Sequence, residues 1–137
     1  MDCAEFVQVG MRNEARGMSS RESSAAAVGS GSLEVFATPA MIALMEQAAS
    51  QLADQLLPEG WTSVGVKLDI AHTAATPCGM EVRAAAEVTA VSGSRISFGL
   101  TAWDEMGKIG SGTHERVAVR GEDFQKKAEG KLSAGRL

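Results

Sequence analysis

Cysteine, proline and runs of one charge or one polarity are all scarce in this 137-residue chain, and each scarcity excludes something. Cys3 and Cys78 are two in number, far apart, and have no His or Cys at metal-ligand intervals. They offer neither a disulfide framework nor a metal site, and two free thiols are expected. Basic residues are outnumbered, with 13 Lys and Arg against 17 Asp and Glu, a formal charge of −4. Nucleic acid is excluded as the main partner, because phosphate backbones are held by basic surfaces. Local basic residues remain able to hold a small phosphorylated ligand. No apolar stretch is long enough to span a membrane, and no basic segment followed by an apolar run opens the chain. A cytoplasmic protein without membrane contact is expected. Nucleotide-binding glycine loops and the Gly-x-Ser-x-Gly elbow are missing too, and no cofactor is implied.

Apolar residues make up 45% of the sequence, enough for one packed core over residues 1–137. The one long helix runs from Thr38 to Leu57. Thr38 suits the N-cap, Pro39 the first helical position, and Pro58 with Gly60 marks the end. At about 100° per residue, Met41, Ile42, Met45, Ala48, Ala49, Leu52, Ala53 and Leu56 form an apolar sector opposite Gln47, Ser50, Gln51 and Asp54. Glu46 falls at the edge of that sector, between Ala53 and Leu57.

Four β-type segments follow. Trp61 to His72 alternates with Val64, Val66, Leu68 and Ile70 inward, and Met80 to Val91 places Val82, Ala84, Ala86, Val88 and Ala90 on one face. Ser92-Gly93-Ser94 makes a hairpin turn. Arg95 to Trp103 and Lys108 to Val119 complete a meander. Ahead of the helix, Phe6 to Met11 reads as a short strand continuing after a bend into Asn13 to Met18. Residues 19–34, rich in Ser, Ala and Gly, read as a flexible loop or lid with room for one helical turn. Residues 121–131 suit a short helix, and 132–137 are expected to fray. These elements give an α+β domain with an antiparallel sheet packed over the helix.

Four places can carry chemistry. Glu46, at an apolar margin, has its ionisation resisted and suits a general base or acid, or else snorkels to solvent or pairs with a Lys or Arg of the sheet. His72 ends a strand, and histidine is the side chain whose ordinary pKa lies nearest neutrality; alternatively His72 is an ordinary hydrogen-bonded residue. Thr38 stands at a helix N-terminus, where free N–H groups favour a developing oxyanion, or is simply a cap. Arg116, in Gly110-Ser111-Gly112-Thr113-His114-Glu115-Arg116, suits an anion clamp or a solvated strand position, and His114 has the same ordinary alternative. The two glycines suggest a bulge or a close approach of a ligand or another backbone.

Val35-Phe36-Ala37-Thr38 leading to Glu46, His72-Thr73-Ala74-Ala75-Thr76-Pro77 with Gly79, and Ile109 to Arg116 together resemble the fluoroacetyl-CoA-thioesterase-like branch of the hotdog-fold thioesterases. The resemblance covers about Val35 to Val119, with eight residues from Thr38 to Glu46 and twenty-six from Glu46 to His72. It implies a hotdog fold, in which a sheet wraps one long central helix, and a homodimer with active sites at the subunit interface. It also implies hydrolysis of an acyl-CoA thioester by Thr38, Glu46 and His72, with substrate contacts at Gly65 and Arg116. The fluoroacetate-specific enzyme has aromatic residues in its lid, whereas residues 19–34 here contain no Phe, Tyr or Trp. A short or medium acyl-CoA is therefore the expected substrate. The alternatives are a hotdog module that binds acyl-CoA or another small ligand without turnover, and dehydration of a hydroxyacyl thioester.

Overall fold

The computed structural model describes residues 1–135. Five strands form one antiparallel sheet: β1 (Arg12–Met18), β2 (Trp61–His72), β3 (Glu81–Ser92), β4 (Arg95–Asp104) and β5 (Gly107–Arg120). Their spatial order is β1-β3-β4-β5-β2, so β1 and β2 are the edges. Four α-helical segments are present among the described residues: α1 (Ala25–Val28), α2 (Thr38–Leu56), α3 (Gly121–Glu129) and α4 (Lys131–Ala134). The sheet curves over α2, which buries Met41, Leu44, Met45, Ala48, Ala49, Leu52 and Ala53 against Ile96, Phe98, Leu100 and the alanines of β3. This is the α+β hotdog arrangement.

Thr38 is not the cap. Ala37 holds the extended backbone conformation before the helix, Thr38 is the first helical residue, and no side chain caps the N-terminus. The Thr38 hydroxyl is engaged elsewhere, which is why it does not fold back on the helix amides.

The expected strand over Phe6 to Met11 is absent. Cys3–Glu5 is a 3-10 turn, and the amides of Phe6 and Val7 both donate to the Cys3 carbonyl at 2.9 and 2.8 Å, so they are not free for a ladder. That turn buries Cys3 and Val7 and leaves Val9 exposed. Gly10 donates to Val88 at 2.9 Å and Met11 accepts from it at 2.8 Å, and the ladder itself starts at Arg12 opposite Glu87.

The simple alternation expected in β2 is also interrupted. Gly65 pairs with Arg116 and Lys67 with Glu115, leaving Val66 as an extra residue. A bulge shifts the phase of everything after it. Directly paired residues share a face, so Ser63 and Gly65 before the bulge, and Leu68, Ile70 and His72 after it, lie on the helix side. Val64 pairs with Val117 on the outer side. A second bulge at Thr89 turns Ala90 outward and brings Val91, opposite Ile96, to the core.

Residues 19–34 are tied down at several points. Arg21–Ser23 forms a 3-10 turn and α1 one helical turn. The Ala25 amide donates to Val35 at 2.8 Å, Ala37 to Ser23 at 2.9 Å, and Phe36 to Thr76 at 2.8 Å. At the other end, α4 adds a turn within the stretch expected to fray, and residues 136–137 lie outside the described residues.

Candidate functional site

Two groups of polar side chains lie along α2, one at its N-terminus and one two turns later. At the first, β2 ends at His72 and the chain turns back beneath the helix start. Thr38 Oγ1 is 2.7 Å from His72 Nδ1. His72 Nε2 is buried and has no hydrogen-bond partner among the described residues. Beside this pair opens a cavity of about 280 Å³, walled by Ala25, Ser30, Val35, Phe36 and the Thr73–Ala75 backbone turn. Residues 19–34 thus form part of its wall. Thr76, fully buried, holds the turn by donating to Asp104 Oδ2 at 2.7 Å. Burial opposes ionisation of Asp104, but the bonds from Thr76 and from the Met106 and Gly107 amides outweigh it and hold the carboxyl below its ordinary range.

The second group surrounds Glu46. The Arg116 Nη1 donates to Glu46 Oε2 at 3.2 Å. The Glu46 side chain is 37% exposed and that of Arg116 only 7%. Glu46 therefore has a buried guanidinium as its neighbour in place of the apolar margin expected from the helix pattern. Arg116 is anchored on its far side by Ser63, with Nε donating to Ser63 Oγ at 2.7 Å and Nη2 to the Ser63 carbonyl at 3.0 Å. His114, on the same face two residues earlier, lies 3.2 Å from Arg116 Nη1 through Nε2. Its Nδ1 lies 2.8 Å from the Lys67 carbonyl.

The His114 ring is fully buried, and burial pushes its pKa below the ordinary imidazole value. The Arg116 charge acts in the same direction, against the Lys67 carbonyl and Glu46. Burial likewise lowers Arg116 from its ordinary value.

Gly65 closes this group. A Cβ there would stand 2.6 Å from Glu46 Oε2, 3.2 Å from His114 Cε1 and 3.4 Å from Arg116 Nη1. Only glycine lets the β2 backbone approach the carboxylate so closely. Gly110 and Gly112 serve the helix and the strand instead. A Cβ on Gly110 would meet Met41 at 2.7 Å, and one on Gly112 would meet the Asp69 carbonyl.

Within one chain these groups are separate. Thr38 and Glu46 are eight residues apart on α2, about 12 Å at the helical rise. Thr38 and His72 come together, and so do Glu46, Gly65 and Arg116.

The chain matches the fluoroacetyl-CoA-specific thioesterase family over residues 20–122. It is 43% identical over 102 residues to the fluoroacetyl-CoA thioesterase of Streptantibioticus cattleyicolor, which is 74% of this chain and 73% of that one. This chain belongs to the fluoroacetyl-CoA-specific thioesterase family. A solved threonine-to-serine mutant of the fluoroacetyl-CoA enzyme, in complex with acetyl-CoA, superposes with a TM-score of 0.86 at 34% identity, covering 91% of this chain and 98% of that one. A hot-dog-like protein from Thermanaerovibrio acidaminovorans is similar at a TM-score of 0.85 and 28% identity, covering 96% and 97%.

Ser63 is a member of the Glu46 group that no sequence pattern indicates, since its partners come from other elements. His114 did carry a signal. It lies two residues from Arg116 on one strand, a spacing that puts both on one face.

Proposed function

We propose that this chain of the fluoroacetyl-CoA-specific thioesterase family hydrolyses short or medium acyl-CoA thioesters, with Thr38, Glu46 and His72 as the catalytic residues of a site assembled between two copies. The observation that carries the reading is the Thr38–His72 contact at the N-terminus of α2, 2.7 Å long and opening on a cavity. Small side chains, Ala25, Ser30, Ala74 and Ala75, line that cavity. They suit a compact acyl group.

The second copy is supported by the edge strand. Gly65 to Asp69 of β2 are exposed, with Val66 at 49% and Leu68 at 39%. An edge presenting unpaired backbone groups and apolar side chains is a pairing surface. If two β2 edges pair antiparallel about Asp69, with Val66 again the extra residue, His72 of each chain stands opposite Gly65 of the other, both on the helix side. The Thr38/His72 pair of one copy then meets the Glu46 group of the other, and the orphaned His72 Nε2 gains a carboxylate neighbour.

Chemically, Glu46 offers Oε1, since Arg116 engages Oε2. Oε1 either attacks the carbonyl carbon to give an anhydride or takes a proton from attacking water. In both routes the C–S bond breaks, the CoA thiolate leaves, and His72 delivers its proton. The α2 N-terminus and the Thr38 hydroxyl face the developing oxyanion. In the anhydride route water must then hydrolyse the anhydride to free Glu46 and the acid, and label appearing in Glu46 after a single turnover in ¹⁸O water identifies this route with attack at the Glu46 carbonyl.

The test is thiol release from a panel of acyl-CoAs. Turnover should fall by about two to four orders of magnitude in His72→Ala, the usual cost of losing an acid–base group. Unchanged turnover sinks the reading, and tight binding without turnover on any chain length replaces it with a binding module. Light scattering should give a dimer mass. No described helix is long and apolar enough to cross a membrane, and both thiols are free, which supports a cytoplasmic location that cell fractionation tests.

A further inference from the structure

The resemblance assigns Arg116 to the substrate, but its geometry points inward. Arg116 is 6% exposed, and its guanidinium makes four hydrogen bonds to protein: two to Ser63, one to Glu46 and one to His114. The His114 bond fixes a tautomer. The Lys67 carbonyl can only accept, so His114 Nδ1 carries the proton and donates to it. Nε2 then has a lone pair, which accepts from Arg116 Nη1. The 3.8 Å approach of Nε2 to Glu46 Oε2 is consequently a meeting of two acceptors held apart by the guanidinium, and no ion pair.

One nitrogen, Arg116 Nη1, therefore bridges a neutral acceptor and a carboxylate, while Ser63 fixes the other end of the plane. A guanidinium constrained on both sides has a single orientation. Gly65 leaves no slack, because even a methyl group there would overlap Glu46.

We propose that His114 is a positioning residue: as a hydrogen-bond acceptor it sets the plane of Arg116, which in turn holds Glu46 Oε2 and leaves Oε1 facing the thioester. This inference rests on the thioesterase reading of Glu46.

The test compares steady-state thiol release on one acyl-CoA for His114→Phe, His114→Gln, Ser63→Ala and Glu46→Gln. Phe fills the space beside Phe98, whose ring centre lies 6.1 Å from that of His114, but cannot accept a hydrogen bond. Its kcat should fall by up to about 100-fold at unchanged KM, the scale of a carboxylate misplaced by about 1 Å. Gln keeps an acceptor and should recover most of the loss. Ser63→Ala, a milder change that decides the matter if His114→Phe does not fold, should lower kcat by a smaller factor, again at unchanged KM. Three results overturn the proposal: a raised KM with kcat intact, which makes the role of His114 one of substrate binding; no loss in His114→Phe or Ser63→Ala; or a loss that Gln does not recover. Glu46→Gln separates the levels. If it keeps wild-type turnover, the role of Glu46 itself fails, whereas an inactive Glu46→Gln beside an active His114→Phe removes His114 alone.

Discussion

The two ends of the α2 site are built differently. At the N-terminal end Thr38 and His72 share one hydrogen bond, one ring nitrogen is orphaned, and a cavity of about 280 Å³ lies alongside. Around Glu46, Arg116, His114, Ser63 and Lys67 are joined by five hydrogen bonds with little room between them. The sparse end is suited to receive atoms from outside the chain. The dense end holds a charge in place before anything arrives, which is how electrostatic preorganisation reduces the reorganisation needed during reaction.

That contrast can be broken by mixing variants. Glu46→Gln and His72→Ala should each lose about two to four orders of magnitude in turnover. If each working site takes Glu46 from one copy and His72 from the other, the mixed dimer has one intact site, and co-refolding the two inactive variants in equal amounts should restore about a quarter of wild-type activity. No restoration places both residues in the same copy and refutes the split. Gly65→Ala should come next, at up to about 100-fold in kcat, because its methyl group displaces the carboxylate by a fraction of an ångström or more. Turnover close to wild type would show that the dense end tolerates the movement its packing forbids.

The sparse end has its own support, and loosening it should cost stability more than chemistry. Thr76→Val removes the hydroxyl that donates to Asp104, which is half-buried and keeps its bonds from the Met106 and Gly107 amides, so the loss should be about 1 kcal/mol, the net worth of one hydrogen bond. A lower Tm in thermal unfolding, with thiol release largely retained, checks it.

The helix and the four strands after it were legible because their apolar spacing is strictly local. Glu46 stood out for the same reason, as a carboxylate at the wrong angle. What was not legible depends on register between distant segments. Nothing in Val64-Gly65-Val66-Lys67 announces that Val66 is extra, since the bulge exists only relative to β5. Once it is placed, Gly65 and Arg116 fall opposite one another and the surroundings of Glu46 change from apolar to ion-paired. Thr38 was misread for a related reason: a hydroxyl before a proline fits a cap locally, and only the arrival of His72 from β2 redirects it. The run from Phe6 to Met11 alternates well enough for a strand, but the Cys3–Glu5 turn takes up the amides of Phe6 and Val7, and only Gly10 and Met11 reach β3, through Val88.

The smallest effect lies in acid, at the dense end. His114 has a folded pKa below its ordinary value of 6.5, with burial as the main cause. The unfolded chain therefore binds a proton that the folded one resists, and stability must fall as pH drops from about 6.5 towards the folded pKa. Above 6.5 both states are neutral at this site and its contribution is complete. The charged groups facing His114 are Arg116 on its own strand and Glu46 from α2, so a proton on the ring would set two cations against one carboxylate. Urea unfolding between pH 7.5 and 5 should show a stability loss in the wild type that is reduced in His114→Gln, which has nothing to protonate. An equal loss in both would mean that other groups dominate acid destabilisation and that His114 is protonated as readily folded as unfolded.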